Sequence, residues 1–557
     1  MSHTTYSTSY RSIPFVNLTF VGAALAAPAL LPCGPNAMRL LLLAIASVVL
    51  IVFGERGPRE TRWERRGLPG REAYVPVFAL ALAMTTGLVP TSLALQTCGE
   101  KSELVALILS FAMVSYGIGQ SGFFEFAAYH FVAWSRGQTR ILIVYFYLLS
   151  SLLTYVTSND IVVLILTPII ISVCFQGQID NPKLLLLGQF IAANTVSMGM
   201  LIGSPTNIIV AQASRISFVD YFLLMLPPSL AAFLGSYMVV ECTAQFAASR
   251  GTRSKMALAY TVTFDVGQVP SGPRFDAHMR NWLLLFSSVV VVVAVATEYQ
   301  LSLFWVAVPA FAAAAVYIVL DPHRIAVDTA ASQRLLQALA RLPYGIIFFG
   351  LSFFVLAAAI VRSDIAVLYA IPALQSLLER SPYLVGAVGV GVSGMVVNIL
   401  NDLPAAALLT ELLEQLRPGT DVLLAQVLTQ AILIGVNIGC YLTPVGALAG
   451  LIWFSVMRTE VQRQERQQRT IGFKMRLPTR LELVAFGLLN FVVVVPLASA
   501  AGTCGLLAYA GVAGSPAVGA WEARTGILGL AILCGCSTVF IRRLRQLRRQ
   551  VLTAHDP

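Results

Sequence analysis

Two long apolar stretches of this chain are interrupted by the same dipeptide, Asn159-Asp160 and Asn401-Asp402, and each interruption is followed about forty residues later by a second polar break containing proline. The first set runs from Thr157-Ser158-Asn159-Asp160 to Gly203-Ser204-Pro205-Thr206-Asn207. The second runs from Asn401-Asp402-Leu403-Pro404 to Leu442-Thr443-Pro444-Val445-Gly446. Asp160 precedes Pro205 by 45 residues and Asp402 precedes Pro444 by 42, so the breaks recur in the same order at nearly the same pitch. Placing an aspartate at the centre of a membrane helix costs roughly 2.5 to 3.5 kcal/mol even on lenient insertion scales. Two such carboxylates in matching places point to a duplicated unit built around a polar centre.

The surroundings of that centre follow from composition. Across 557 residues, 57% are hydrophobic and only 11% are charged, with a mean hydropathy of +0.77. That is too little charge to cover a soluble globule of this size. About ten stretches reach or approach the roughly 20 apolar residues that cross a bilayer as a helix. None has the ten-residue alternation of a barrel strand. The sequence therefore predicts an all-α polytopic membrane protein whose partner is the lipid bilayer. The N-terminal apolar run after Arg11 lacks a small-residue cleavage site, and a retained helix is expected there.

The net charge of +10 is concentrated in segments 55–72, 250–280, 321–341, 458–480 and 542–549. Basic loops of a membrane protein face the cytoplasm and anionic head groups, a simpler account than nucleic-acid binding. The eight cysteines include no CxxC pair and read as small core residues. No HExxH, GxSxG or clustered metal-ligand set occurs, which argues against an enzyme. No GxxxxGK[ST] loop occurs either, so the chain is not its own ATP-driven motor.

Putting every basic loop on one side orders the spans. Segments 13–31, 37–53, 74–95 and 104–122 cross in turn, and 123–134 lies at the inner interface. Segment 141–175 has arms of about fifteen residues flanking Asn159-Asp160, only ~22 Å each at 1.5 Å per residue, so a re-entrant hairpin is expected. Segment 184–216 crosses with a break at Gly203 to Asn207, and 218–240 returns. Segments 282–297, 301–320 and 344–361 follow, with 365–378 along the outer interface. A second hairpin at 384–413 opens to the opposite face, and 422–456 crosses with a break at Thr443-Pro444. Segments 483–498 and 527–541 complete the chain and leave both termini cytoplasmic.

The predicted fold is thus two inverted-topology repeats, each with a re-entrant helical hairpin and a broken transmembrane helix. The expected parts are an N-terminal two-helix segment and basic loop (1–72), a first repeat (73–240), a cytoplasmic linker (241–280), a second repeat (281–502) and a C-terminal helix with a basic tail (503–557). Glu125 and Asp364 stand in corresponding places, 35 and 38 residues ahead of the two aspartates.

Unwound backbone in a membrane must be buried in protein or line a wet cavity. Half-helix N-termini favour anions, and free carbonyls favour cations and protons. Converging breaks would gather Ser158, Asn159, Asp160, Ser204, Pro205, Thr206, Asn207, Asn401, Asp402, Thr443, Pro444 and Gly446 as substrate- or ion-binding positions around one cavity. A plainer reading competes. Asp160 and Asp402 would serve as helix N-caps, with Pro404 in a first turn, and Pro205 and Pro444 as helix kinks. Glu125 and Asp364 suit an interface, His130 an interfacial or packed position, and Cys440 a buried structural role beside a possible contact to a thiophilic solute.

The stretches Thr157 to Pro168 (TSNDIVVLILTP), Gly203 to Val210 (GSPTNIIV) and Gly439 to Trp453 (GCYLTPVGALAGLIW) resemble the arsenite-efflux permease branch of the ion transporter superfamily. That superfamily also holds sodium-coupled dicarboxylate carriers and sodium/proton antiporters. The resemblance implies a transport domain moving against a scaffold, often in a homodimer, and leaves room for a soluble ATPase partner. It matches the two Asn-Asp pairs to hairpin tips, and Ser204 to Asn207 and Thr443 to Gly446 to broken-helix turns. The dicarboxylate carriers have Ser-Asn-Thr at both tips, whereas here Asp follows Asn. In the arsenite permeases a Gly-Pro-Lys-like stretch usually precedes Thr-Pro, whereas here Cys440-Tyr441-Leu442 does.

Secondary transport of a small inorganic oxyacid or anion such as arsenite or antimonite is therefore expected, since the Asp after each Asn argues against a bare dianion site, with Asp160 and Asp402 as proton-coupling candidates and no cofactor beyond a coupling H+ or Na+. A sodium/proton antiporter or sodium-coupled organic-anion carrier is the alternative within transport. An uncoupled channel or regulatory membrane protein is the alternative outside it. The cell membrane is the expected location.

Overall fold

The computed structural model describes residues 71–249, 273–299, 301–320, 331–340, 342, 344–362, 381–417, 420–444, 446–468 and 475–509, with isolated positions between 39 and 47. The expected helices at 13–31, 365–378 and 527–541 lie outside these residues, as do Asp364, most of 37–53, most of the linker and the C-terminal tail. Among the described residues the regular structure is helical, with no strand.

In chain order the helices are α1 (Arg71–Thr85), α2 (Thr91–Glu100), α3 (Ser102–Gln120), α4 (Phe123–Trp134), α5 (Thr139–Val156), α6 (Asn159–Gln176), α7 (Lys183–Val196), α8 (Pro205–Ala213) and α9 (Phe218–Ser249). They continue with α10 (Ala277–Glu298), α11 (Phe304–Leu320), α12 (Ala331–Ala340), α13 (Tyr344–Val361), α14 (Pro382–Leu400), α15 (Asp402–Leu416), α16 (Val422–Gly439), α17 (Leu448–Gln468) and α18 (Arg480–Tyr509). Seven of them, α3, α6, α9, α10, α14, α16 and α18, are long and apolar enough to cross a membrane. The protein is a multi-pass integral membrane protein. Large apolar side chains stay exposed along α10, α11 and α18, among them Leu284, Val291, Trp305, Val308 and Val492, as helix faces turned to hydrocarbon require.

The chain packs as two units. One comprises Met1–Gly99 and Tyr344–Ala370, in which α13 packs on α1. The span expected at 74–95 is two helices here, because Gly87 takes φ +75° and Pro90 precedes the next helix. A left-handed glycine followed by proline stops one helix and starts another.

The other unit, Glu100–Pro343 with Ile371–Pro557, holds both polar-break sets. Each set follows the same element order: a helix, a sharp turn, a second helix, a broken helix, then a long helix. In the first set these are α5, α6, α7 with α8, and α9. In the second they are α14, α15, α16 with α17, and α18. The first hairpin arms have 18 residues each, and the second have 19 and 15. The arms of the first hairpin are therefore longer than the fifteen residues expected from sequence. The first hairpin begins two residues before the expected segment, at Thr139, and ends one residue after it, at Gln176.

The halves interlock closely. Trp453 on α17 donates its indole N–H to Thr167 Oγ1 on α6 at 3.0 Å and stacks on Phe190 of α7. Helix α9 packs along α18, and α14 along α16. The α14 and α16 backbones meet through Gly394, Gly435 and Gly439. A Cβ at Gly439 would stand 2.6 Å from the Gly394 carbonyl oxygen and 2.7 Å from its Cα. Small residues at such spacing let membrane helices approach backbone to backbone.

A methyl group added at Gly439 meets backbone that cannot swing aside, whereas one added at Gly391 meets nothing within 4 Å. Gly439→Ala is expected to lower stability by about 1–3 kcal/mol through overpacking, and Gly391→Ala to leave it unchanged or slightly raised. Thermal unfolding of the two variants in detergent checks this.

Candidate functional site

Both hairpin tips break their helices with polar backbone geometry. Helix α5 ends where Thr157 turns to φ −136°, ψ −136° and its hydroxyl donates back to the Leu153 carbonyl at 2.9 Å. Ser158 is extended and occupies the N-cap position of α6, yet makes no side-chain capping bond. Asp160 thus stands inside the first turn of α6. At the second tip the N-cap position belongs to Asn401, and Asp402 opens α15. The expectation that the two aspartates are N-caps is therefore corrected: each cap position lies one or two residues earlier. Asn401 itself adopts φ 76°, ψ 163°, a region populated almost only by glycine and costing about 1–3 kcal/mol for other residues.

The tips reach the broken helices by different contacts. Asn159 donates to Asn194 Oδ1 on α7 at 3.0 Å, and its own Oδ1 accepts the Asp160 N–H at 2.9 Å. At the other tip Asp402 Oδ1 accepts the Leu403 N–H at 2.9 Å, and the Cys440 thiol points at Asp402 Oδ2 from 3.8 Å. Asp160 lies within electrostatic range of Asp402 and of Cys440. Asp160 Oδ1 is buried without a hydrogen-bond partner among the described residues. Buried carboxylate oxygens left so are costly, and a proton or a cation would satisfy this one.

The first break is longer than sequence indicates. Helix α7 ends at Val196, and two short 3-10 turns, Ser197–Gly199 and Leu201–Gly203, precede α8. Gly203 is required because a Cβ there would sit 2.3 Å from the Ser197 carbonyl oxygen. Ser204 caps α8 by accepting the Thr206 N–H at 3.4 Å, with Pro205 in the first turn. The second break runs from Cys440 to Ala447, since α16 ends at Gly439 and α17 begins at Leu448.

One buried network joins the two breaks. Asn437 on α16 donates to Asn207 Oδ1 at 2.7 Å and to the Leu433 carbonyl at 2.8 Å. Ser197 Oγ lies 2.7 Å from both Asn437 Oδ1 and the Asn194 carbonyl and offers one proton between them. Asn207 Nδ2 holds the Ser197 and Met200 carbonyls of the unwound segment at 2.8 and 3.0 Å. Beside the second break, Thr443 donates to Asn398 Oδ1 at 2.7 Å, and Asn398 donates to the Gly394 and Gly439 carbonyls.

Of the residues expected at the site, Asn159, Asp160, Asn207, Asp402 and Thr443 are tied to this centre by these contacts. Ser204 and Thr206 are buried but bond to each other at 2.9 Å. Ser158 and Pro205 are half-buried at helix starts, Asn401 is buried at its tip, and Pro444 and Gly446 form the second break. Sequence reasoning missed Asn194, Ser197, Asn398 and Asn437. A signal existed for two of them: Asn194 and Asn437 follow Asn159 and Asn401 by 35 and 36 residues, each the one asparagine of its apolar helix.

Away from this centre, His130 is exposed on α4, 2.8 Å from the Phe126 carbonyl and against the Phe126 and Trp134 rings. Glu125 is half-buried on the same helix, and burial pushes its carboxyl above the ordinary carboxylate range, partly offset by a backbone hydrogen bond.

Comparison with known proteins adds independent information. Residues 48–435, more than half of the chain, match the sequence model of the citrate transporter family, CitMHS. The arsenical pump membrane protein of Yersinia enterocolitica is 23% identical over 400 residues, spanning 71% of this chain and 87% of that one. An Escherichia coli arsenical pump membrane protein is 23% identical over 363 residues, spanning 63% and 78% respectively. Among solved structures, the YdaH transporter of Alcanivorax borkumensis aligns with 87% of this chain and 98% of its own, at 13% identity and a TM-score of 0.40.

Substitutions at two positions probe the centre. Asn437→Leu strands Asn207 Oδ1, while Ser197 Oγ keeps the Asn194 carbonyl, and is expected to cost about 1–3 kcal/mol in unfolding experiments. Asn401→Gly is expected to be more stable than Asn401→Ala by about 1 kcal/mol, because only glycine adopts the tip backbone without strain; parallel denaturation of the two variants reads the difference.

Proposed function

The chain belongs to the citrate transporter family, and from that premise we propose that it is a secondary active transporter for a small inorganic oxyacid or anion of the arsenite or antimonite kind, coupled to protons or to the membrane potential. The observation that carries this reading is that Asp160 and Asp402, one from each hairpin, lie within electrostatic range of each other, with Cys440 beside Asp402. The relatives named as arsenical pump membrane proteins support the solute class.

In this reading the solute and the coupling proton occupy the polar centre between the tips and the breaks. Two carboxylates in a poorly solvated site resist ionising together, so a proton binds from one face and leaves to the other as the site alternates. One proton moving down ~150 mV releases roughly 3.5 kcal/mol, enough for roughly 300-fold accumulation of an uncharged solute. Asn207, itself held by Asn437, fixes the unwound backbone beside that exchange. Both termini on the cytoplasmic side, inverted repeats opening to opposite faces, a location in the cell membrane and assembly as a homodimer belong to the same proposal.

Sodium-coupled carriage of an organic anion is the second reading, favoured by the family's description as citrate transporters. Proteoliposome flux separates the two. Movement of arsenite or antimonite driven by a proton gradient or by membrane potential, and reduced to background in Asp160→Asn and Asp402→Asn, is the expected result. Sodium-dependent citrate uptake instead would replace the first reading with the second, and a conductance indifferent to both substitutions would sink the carrier mechanism altogether.

A further inference from the structure

A cavity of about 350 Å³ lies beside the first break, walled by α3, α8, α10 and the turn before α11. Its lining includes Leu201, in the 3-10 segment of the break, and Ile208, on the first turns of α8. It also includes Glu103 and Arg215, the two charged side chains of the lining, and Gln212 near the end of α8. Asp160 and Asp402 do not line it, so it is separate from the polar centre.

The two charges have different commitments. Glu103 accepts the Ser302 hydroxyl at 2.6 Å and the Leu303 N–H at 3.3 Å, at the start of α11, where a carboxylate is favoured by the helix dipole. It keeps lone pairs free toward the cavity. Arg215 is exposed, and its guanidinium has no hydrogen bond or ion pair among the described residues. Its backbone closes α8: Arg215 N–H bonds the Gln212 carbonyl and Ile216 N–H bonds the Ala211 carbonyl, with Arg215 at φ 54°. This is the Schellman termination, whose left-handed position glycine fills at least cost. The same motif ends α6 at Gln178.

We infer that this cavity is a staging site for an uncharged, hydroxyl-bearing solute, in which Arg215 and Gln212 donate to the solute's oxygens and Glu103 accepts from its hydroxyl groups. The assignment rests on the transport reading above for the solute's class and adds the selection of charge. A neutral oxyacid such as arsenous acid offers both donors and acceptors and meets both groups. A polyanion such as citrate can pair with Arg215 but brings further carboxylates to a cavity that also holds the Glu103 carboxylate, a repulsive element of the kind that specificity requires. In the charge-led topology the opening faces away from the cytoplasm, so the solute occupies it before or after the polar centre.

The test uses the full chain in lipid nanodiscs, titrated with arsenous acid alone and in competition with citrate, and in proteoliposomes for arsenous acid flux. Arg215→Gly is expected to be at least as stable to heat as the wild type, since glycine suits that cap. It should nevertheless bind arsenous acid about tenfold more weakly and raise the KM of flux about tenfold, with the maximal rate little changed. Gln212→Trp, which fills the cavity, should abolish the binding. Glu103→Gln keeps an acceptor for Ser302 and should turn citrate from a non-competitor into a competitor. The inference is overturned if the wild type binds no arsenous acid, if Arg215→Gly and Gln212→Trp leave binding and KM unchanged, or if citrate competes equally with and without Glu103→Gln. Binding that depends on the cavity without any flux would retire the transport reading alone, and flux indifferent to the cavity would retire this site alone.

Discussion

Backbone that leaves the helix inside hydrocarbon must find its hydrogen bonds within the protein, and in the first break of this chain the demand is met by Asn207, whose amide is fixed in turn by Asn437. Asn437 holds Asn207 and receives Ser197, and Asn207 in turn holds the carbonyls of the unwound segment between α7 and α8. The amide that satisfies the first break is therefore itself held by an amide of the second half. The end of α16 is held within its own half, where Asn398 donates to the Gly439 carbonyl and α14 approaches α16 closely through glycine.

The two halves share an element order but not a contact pattern. Asn159 pairs with Asn194, whereas the amide at the matching place in the second half, Asn437, reaches across to Asn207. Asn401 sits at its tip in a strained backbone that Ser158 and Asn159 do not share. Cys440 faces Asp402, and no cysteine stands in the matching position of the first half. One element order thus presents chemically different walls at the two tips.

Much of the fold was legible in the residues. The Asn-Asp pairs begin helices as their short polar side chains favour, the proline-centred breaks interrupt α7–α8 and α16–α17, and the long helices α9 and α18 fall on the expected apolar segments. The shortfalls have physical causes. Gly87 and Pro90 divide a segment whose hydropathy is uniform. The first break starts at Ser197 because Asn207 and Gly203 hold a 3-10 turn there, and hydropathy carries no trace of that hydrogen bonding. Helix α6 extends past its apolar core because helix geometry ends at a cap and not at a hydropathy limit.

The sequence by itself determined that this is a membrane protein with two polar interruptions per half and a carboxylate at each tip, because hydropathy and motif spacing are local properties written along the chain. Tertiary structure alone decided that Asp160 and Asp402 come within electrostatic range, that Asn437 serves the opposite break, and that Glu103 and Arg215 share one cavity 112 residues apart. Those pairings depend on how helices distant in sequence cross and how nearly they approach, and close approach is set by packing at Gly394 and Gly439 rather than by any residue's own preference.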